Sequence, residues 1–370
     1  MRAAVLTVEG RHGRARAGTV ATARGCFRTP CFMPVGTRGT VRLLDAEDLE
    51  RLAPEVVLAN TYHLMLRPGA PTVAALGGLH RFTGWAGTML TDSGGYQVFS
   101  LAPAVDDGGV TFRSTYDGSR HRLTPESAVA TQEALGADIQ MALDVCTGLP
   151  ASPAEVRVGL DRTLGWAERA RRAHRRDDQS LFGIVQGGVD RRWRAEAAAR
   201  LASAGFDGYG IGGLSVGESR PEMLDAVDAV TAELPEDRPR YLMGVGDPLS
   251  IVEAVVLGVD LFDCVLPARL ARHGTALTSS GRFQLRAARF AMDDGPIDPG
   301  CSCRVCGRWS RGYLRHLLVV GEPTGGRLLT YHNLHWLLGF VRSVRAAVVD
   351  GTLDALRCRV ADTWGARGVR

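Results

Sequence analysis

No stretch of this chain holds the eighteen or so uncharged apolar residues that a membrane-crossing helix needs. Its first residues, MRAAVLTVEGRHGRARAG, contain neither a continuous apolar segment nor a small-residue cleavage pattern, so no secretory signal is expected. Eight cysteines in 370 residues are too sparse for a disulfide-built fold, and three of them crowd into positions 301–306. Aromatic residues make up only 6%, and the net charge of +4 is too small to point to a nucleic acid by itself. Internal repeats and low-complexity linkers are also missing. These absences leave an ordinary globular chain, with the cytoplasm as its expected compartment and no membrane as a partner.

The hydrophobic fraction of 45% is enough for one large core with embellishments. Short apolar runs recur at 31–35, 56–60, 88–91, 139–144, 181–186, 210–214, 241–245 and 261–265. Segments of helical periodicity separate them, among them 44–51, 125–135, 153–174, 191–203 and 221–234. Eight strand-like runs alternating with helices predict an α/β fold, a (β/α)8 TIM barrel that takes in 1–370 as a single domain. Two regions break the alternation. Residues 110–114 and 120–123 flank Tyr116-Asp117-Gly118 and read as a hairpin after the third strand. Residues 275–332, with a strand-like segment at 281–285 and the cysteine cluster, read as an insertion before the barrel closes, and 334–349 reads as a long helix behind it.

Cys301, Cys303 and Cys306 supply three thiols, and His332 follows 26 residues after the last of them. Three thiolates and one imidazole fill a tetrahedral zinc shell with no position left for water or substrate, so the expected ion is one structural Zn2+ per chain. His12, His80 and His174 are rival imidazoles of no special placement; His332 is favoured by proximity.

Carboxylates stand where three of the predicted strands end: Asp92 in TDSGG, Asp144 after IQMAL, and Asp263 in LFDCVLP. Catalytic groups of such barrels sit at that end, and three carboxylates there make a plausible acid, base and nucleophile set. Each taken alone could merely cap a turn. Gln186, in LFGIVQGG, offers an amide donor and acceptor to a heteroaromatic edge, and Gly212 or Gly213 an N–H to a carbonyl. Met243 and Tyr96 could stack on a planar base. From Cys264 to His316, nine arginines face three acids, a surplus of +6 suited to a phosphate backbone or, equally, to a solvated surface.

Read together, TDSGGYQVFS, FGIVQGG, GIGGLSVGE, YLMGVGDP, FDCVLPAR and the C-x-C-x2-C cluster with YHNL resemble the bacterial-type tRNA-guanine transglycosylase family, in family order and over nearly the whole chain. The resemblance implies a TIM-type barrel with a zinc-bearing insertion, acting as a homodimer on a tRNA anticodon loop. It implies that Asp263 is the nucleophile and Asp92 the acid/base, and that guanine at the wobble position is exchanged for 7-aminomethyl-7-deazaguanine in queuosine biosynthesis. Asp144, Gln186, Gly213 and Leu214 match base-recognising positions, Tyr96 and Met243 the pair that sandwiches the purine, and Val216 and Cys146 the pocket positions that limit the incoming base. Arg269 and Arg272 match a basic loop near the anticodon, and the zinc ligands fall on Cys301, Cys303, Cys306 and His332. Two departures stand out: Val145 replaces a pocket glutamate, and Ala268 replaces the threonine usual in LPTR. The rival readings are a retaining glycosidase barrel and a non-catalytic, zinc-stapled RNA-binding subunit; the latter has no need to keep Asp92 and Asp263 together.

Overall fold

The computed structural model describes residues 4–101, 103–148 and 150–365, so the two ends of the expected 1–370 domain lie outside the described residues. Eight parallel strands close on themselves. They are Cys31–Met33 with its continuation Val35–Gly36, Val56–Ala59, Thr88–Thr91, Ile139–Met141, Ser180–Val185, Gly208–Ile211, Arg240–Leu242 and Leu261–Asp263. The eighth pairs with the first, Leu261 opposite Cys31 and Asp263 opposite Met33. Pro34 has no N–H to donate, and the first strand divides there: its first half pairs with the eighth strand, its second half with the second. The expected (β/α)8 barrel is the fold.

Alternation along the strands sorts the apolar residues into two cores. Val56, Leu58, Leu90, Ile139, Met141, Phe182, Ile184, Tyr241 and Leu261 fill the barrel, while Val57, Ala59, Leu181, Val185, Ile211 and Leu242 face the surrounding helices. The helices begin at side-chain caps. Thr124 accepts from the Ser127 amide ahead of Pro125–Leu135, and Ser152 with Glu155 and Ser219 with Glu222 form capping boxes for Pro153–Ala173 and Arg220–Glu233. Among the described residues, no helix is long and apolar enough to cross a membrane.

Several boundaries differ from the sequence expectation. The barrel sheet is complete at Asp263, so the cysteine segment follows closure of the sheet and precedes the long helix. That helix runs Pro323–Val349, eleven residues earlier than the predicted start, because Gly325 and Gly326 hide its periodicity; a Cβ at Gly325 would lie 2.8 Å from Leu317, so the glycine is a packing requirement. His332 therefore sits inside a helix. The hairpin after the third strand is a three-stranded sheet, with Ala104–Asp106 added beside Gly109–Arg113 and Arg120–Leu123. A further antiparallel sheet, Val5–His12, Ala15–Ala21 and Cys26–Thr29, precedes the barrel.

Candidate active site and metal centre

Strands three, four and eight deliver Asp92, Asp144 and Asp263 to one mouth of the barrel, and among the described residues every group that binds these carboxylates is electrically neutral. Asp92 Oδ2 accepts from Asn60 Nδ2 at 2.5 Å and Gln97 Nε2 at 3.1 Å; its Oδ1 accepts from the amides of Thr61 at 2.7 Å and Gly94 at 3.2 Å. Gly94 has φ +80°, a conformation that turns its N–H back toward the carboxylate with little strain for glycine alone. Burial still raises the Asp92 pKa above the usual aspartate value against these four donors.

Asp263 is partly open at the mouth. Tyr241 Oη donates to its Oδ1 at 2.6 Å and the Gly244 amide donates to the same oxygen at 2.7 Å. Among the described residues both bonds fall on Oδ1, which leaves Oδ2 available to a reacting carbon. Desolvation raises this carboxyl's pKa as well. The charges of Asp263 and Asp92 both act on the Tyr241 phenol, which ties the two carboxylates to one locality.

Asp144 accepts from Gln186 Nε2 at 2.6 Å, with Ser93 Oγ 3.4 Å from its other oxygen, and burial pushes its pKa up to about 6. Gln186 in turn fits only because position 213 is glycine: a Cβ there would lie 2.1 Å from Gln186 Oε1, and the φ of +63° is one that side chains rarely adopt. Leu214 is buried beside this pair, Met243 is half-buried, and Tyr96 is 63% exposed on the short helix Gly95–Phe99. Val216 is half-buried in a loop whose amides at Ser215 and Val216 are both held by Glu218.

Two supporting groups escaped the sequence reading. Arg194, fully buried on the helix Arg191–Ala204, donates to the carbonyls of Gly188, Val185 and Gly212 at 2.7, 2.9 and 2.7 Å and to that of Gly213 at 3.3 Å. It fastens the Gln186 loop to the Gly213 loop from behind. Tyr241, placed in a strand by its apolar neighbours, orients Asp263. Neither had a local signal, since each acts on a partner far away in the sequence or on backbone atoms.

The cysteine cluster forms a closed set of donors. One ligand atom from each of Cys301, Cys303, Cys306 and His332 lies within 4.8 Å of the others. His332 Nδ1 is 3.8, 3.5 and 3.3 Å from the three sulfurs. Bonds of about 2.3 Å to sulfur and 2.0 Å to nitrogen around a tetrahedral centre span about 3.5 Å between ligands, so the set fits zinc as it stands. His332 Nε2 donates to the Leu277 carbonyl at 2.8 Å, which leaves the Nδ1 lone pair for the metal. Asn333 reinforces this contact, accepting from the Leu277 amide and donating to the Pro267 and Thr275 carbonyls. His335 Nδ1, unremarked in the sequence, is 3.6 Å from Cys301 Sγ. Arg304, between the second and third cysteines, pairs with buried Asp48 at 2.5 Å and stacks on Tyr331, so the knuckle is anchored to the first barrel helix, Ala46–Leu52. These four residues are a structural zinc site.

A family model described as queuine tRNA-ribosyltransferase matches residues 11–366. The chain belongs to that family. Proteins named queuine tRNA-ribosyltransferase in Desulforudis audaxviator and Moorella thermoacetica are 52% and 51% identical to it, over 93% and 92% of both chains. One of the same name in Herpetosiphon aurantiacus is 50% identical over 98% of this chain and 92% of its own length.

Val145, expected from the resemblance to stand in place of a pocket glutamate, has a definite place in the structure. Its side chain belongs to the apolar cluster of Tyr62, Phe112, Leu143 and Trp166, under the three-stranded sheet. The basic stretch is less exposed than its composition suggested. Arg304 pairs with Asp48, Arg311 with Asp293 at 3.0 Å, and Arg315 donates to the Ala287 carbonyl, so these three, like Arg272, are turned to the protein's own acceptors. Arg269 is exposed and Arg272 half-buried, donating to the Ala268 carbonyl at 3.3 Å.

Proposed function

We propose that this chain is a tRNA-guanine transglycosylase that replaces guanine at the anticodon wobble position with 7-aminomethyl-7-deazaguanine, within queuosine biosynthesis. The observation that carries the reading is the presence at one mouth of Asp263, bound among the described residues through one oxygen only, and of a buried, fully hydrogen-bonded Asp92. A base must leave its stack to reach such a site, which is easier in an anticodon loop than in a duplex. Asp263 Oδ2 attacks the anomeric carbon as the glycosidic C–N bond breaks, the positive charge built there being captured as a ribosyl ester. The departing guanine takes a proton from Asp92, whose raised pKa suits it to carry one. The incoming base then gives its ring proton to Asp92 and attacks from the vacated side, releasing the Asp263 carboxylate. Two inversions retain configuration.

Asp144, Gln186, Gly213 and Leu214 recognise the base edge, and Tyr96 with Met243 close on its faces. Val216 and Cys146 bound the substituent of the incoming base, so full queuine is handled poorly. Arg269 and Arg272 bind the anticodon arm. The zinc held by Cys301, Cys303, Cys306 and His332 shapes the fold and takes no part in bond exchange, and the working unit is a homodimer. Denaturing gels of the protein with tRNA and no incoming base test the reading: a protein–RNA adduct is expected, lost in Asp263→Asn together with exchange while tRNA still binds. Adduct surviving in Asp263→Asn and vanishing only in Asp92→Asn would reverse the two roles.

A further inference from the structure

One group of polar residues at the mouth belongs to none of these assignments. Tyr116, in the turn between the last two strands of the three-stranded sheet, has its hydroxyl 2.9 Å from His63 Nδ1. Two guanidiniums lie over its ring, Arg38 at 5.5 Å and Arg67 at 4.7 Å from the centroid. Arg38 follows the first barrel strand, while His63 and Arg67 belong to the helix Thr61–Leu66 and its C-cap, after the second. Three successive strand-to-helix connections thus meet at one tyrosine.

Both arginines are exposed, and among the described residues neither pairs with a carboxylate. Asp117 feels the charge of Arg67 but directs its Oδ1 to the Ser119 amide and hydroxyl. Burial and the charge of Arg38 keep the His63 imidazole pKa below its ordinary value, so the histidine is a neutral partner to the tyrosine rather than a third cation. Two like charges gathered on one ring repel each other, and stacking offsets this only in part. The arrangement is suited to an anion, and two planar forks are suited to phosphate oxygens.

Position on the rim supplies the second argument. The eighth strand pairs with the first and the first with the second, so the connections bearing Arg269 and Arg272, then Arg38, then Arg67 follow one another around the mouth. On the far side, Arg191 is neutralised by Asp225 and Asp228, and Arg220 faces Asp247 at 3.4 Å. We propose that Arg38 and Arg67, stacked on Tyr116, form a second phosphate-binding site for the RNA substrate, holding its backbone apart from the exchanged nucleotide. This rests on the transglycosylase reading of the mouth.

The test uses the full-length zinc-bound protein and unmodified tRNA over a series of salt concentrations. For the double variant Arg38→Gln/Arg67→Gln, the KM for tRNA should rise at least about tenfold and the log–log salt slope should fall by about one to two, as expected for two lost phosphate contacts. The KM for free guanine and kcat should hold within about twofold, because among the described residues neither arginine bonds to Asp92, Asp144, Asp263 or Gln186. Lysine at both positions should restore most of the slope. An unchanged tRNA KM and slope in the glutamine double, with the wild-type protein exchanging guanine normally, would overturn the site alone, as would lysine failing as fully as glutamine. A wild-type protein that exchanges no guanine at any salt concentration overturns the transglycosylase reading and the site with it.

Discussion

Asp260 and Asp263 bracket the same three-residue strand, yet they live in opposite electrostatic worlds. At the strand's start, Asp260 is fully buried and bound by Arg16 through both oxygens, at 2.9 and 2.6 Å, with the Arg240 amide at 2.7 Å. At its end, Asp263 has a phenol and an amide and, among the described residues, no cation. The fourth strand repeats the contrast. Asp138 precedes it and holds Arg24 at 2.7 Å and His80 at 3.2 Å, which with the Met89 amide bring its pKa below the ordinary value although burial alone would raise it. Asp144 follows the strand, bound by a neutral glutamine, and stands at about 6. The barrel floor neutralises its buried carboxylates and the mouth leaves them raw. A charge kept without a counter-ion is free to answer charge that develops in a substrate.

The sharpest way to break this comparison is to make one substitution at both ends of the eighth strand. Asp263→Asn should lower exchange by at least about a thousandfold while leaving thermal stability unchanged or slightly higher, since it removes an uncompensated charge. Asp260→Asn leaves Arg16 buried without its partner and should cost about 3–5 kcal/mol of stability, with near-normal activity per folded molecule. Chemical denaturation and single-turnover exchange on the two variants decide it; equal stability losses would erase the distinction between floor and mouth.

A second measurement sharpens the contrast by pH. The Asp144 pKa is raised in the folded protein, so the folded form binds this proton more tightly than the unfolded chain does. Its contribution to stability is therefore fully present below the ordinary value of 3.8 and is lost as pH rises through about 6, a change on the order of 3 kcal/mol. Asp138 has the opposite sign: its contribution is present above the ordinary value and is lost as pH falls through the depressed one. Denaturation midpoints between pH 4 and 7 should show the Asp144→Asn variant gaining on the wild-type protein as pH rises. Parallel curves would contradict the assignment.

The smallest effect is expected at Asp48, an intermediate case in which a buried carboxylate meets two half-exposed arginines, Arg304 and Arg327. Water can solvate both cations once the acid is gone, so Asp48→Asn should cost only about 1–2 kcal/mol. Because Arg304 lies between two zinc ligands, the same variant should release zinc to a chelator several times faster than the wild-type protein. Unaltered release would separate the knuckle from the barrel helix.

Much of this was legible in the sequence wherever a strand ended in a carboxylate. The runs before Asp92, Asp144 and Asp263 marked both the barrel and its mouth, since a short continuous apolar run and a chemistry-bearing residue coincide there. The zinc donors were legible because three of the four sit within six residues. Partners were not. Arg16 meets Asp260 across 244 residues, and Asn60 meets Asp92 across 32, contacts that arise only once the barrel closes. The N-terminal sheet was missed because Val5–His12 alternates in burial while its inward face holds only Leu6 and Val8 before Gly10 and His12, too little for an apolar pattern.

The helix Pro323–Val349 has a consequence for how loss of metal would be felt. Through His332 it grips the zinc knuckle; about 20 Å further along its axis, Arg345 donates to the carbonyls of Gly18 and Thr29, while Arg342 donates to those of Leu52 and Ala53. It acts as a strut with one foot on the metal and the other on the sheet that precedes the barrel. Loosening the first foot lets the rod tilt at the second, so amide protons of Ala15–Ala21 should exchange with solvent sooner once the metal is stripped, although no ligand lies among them.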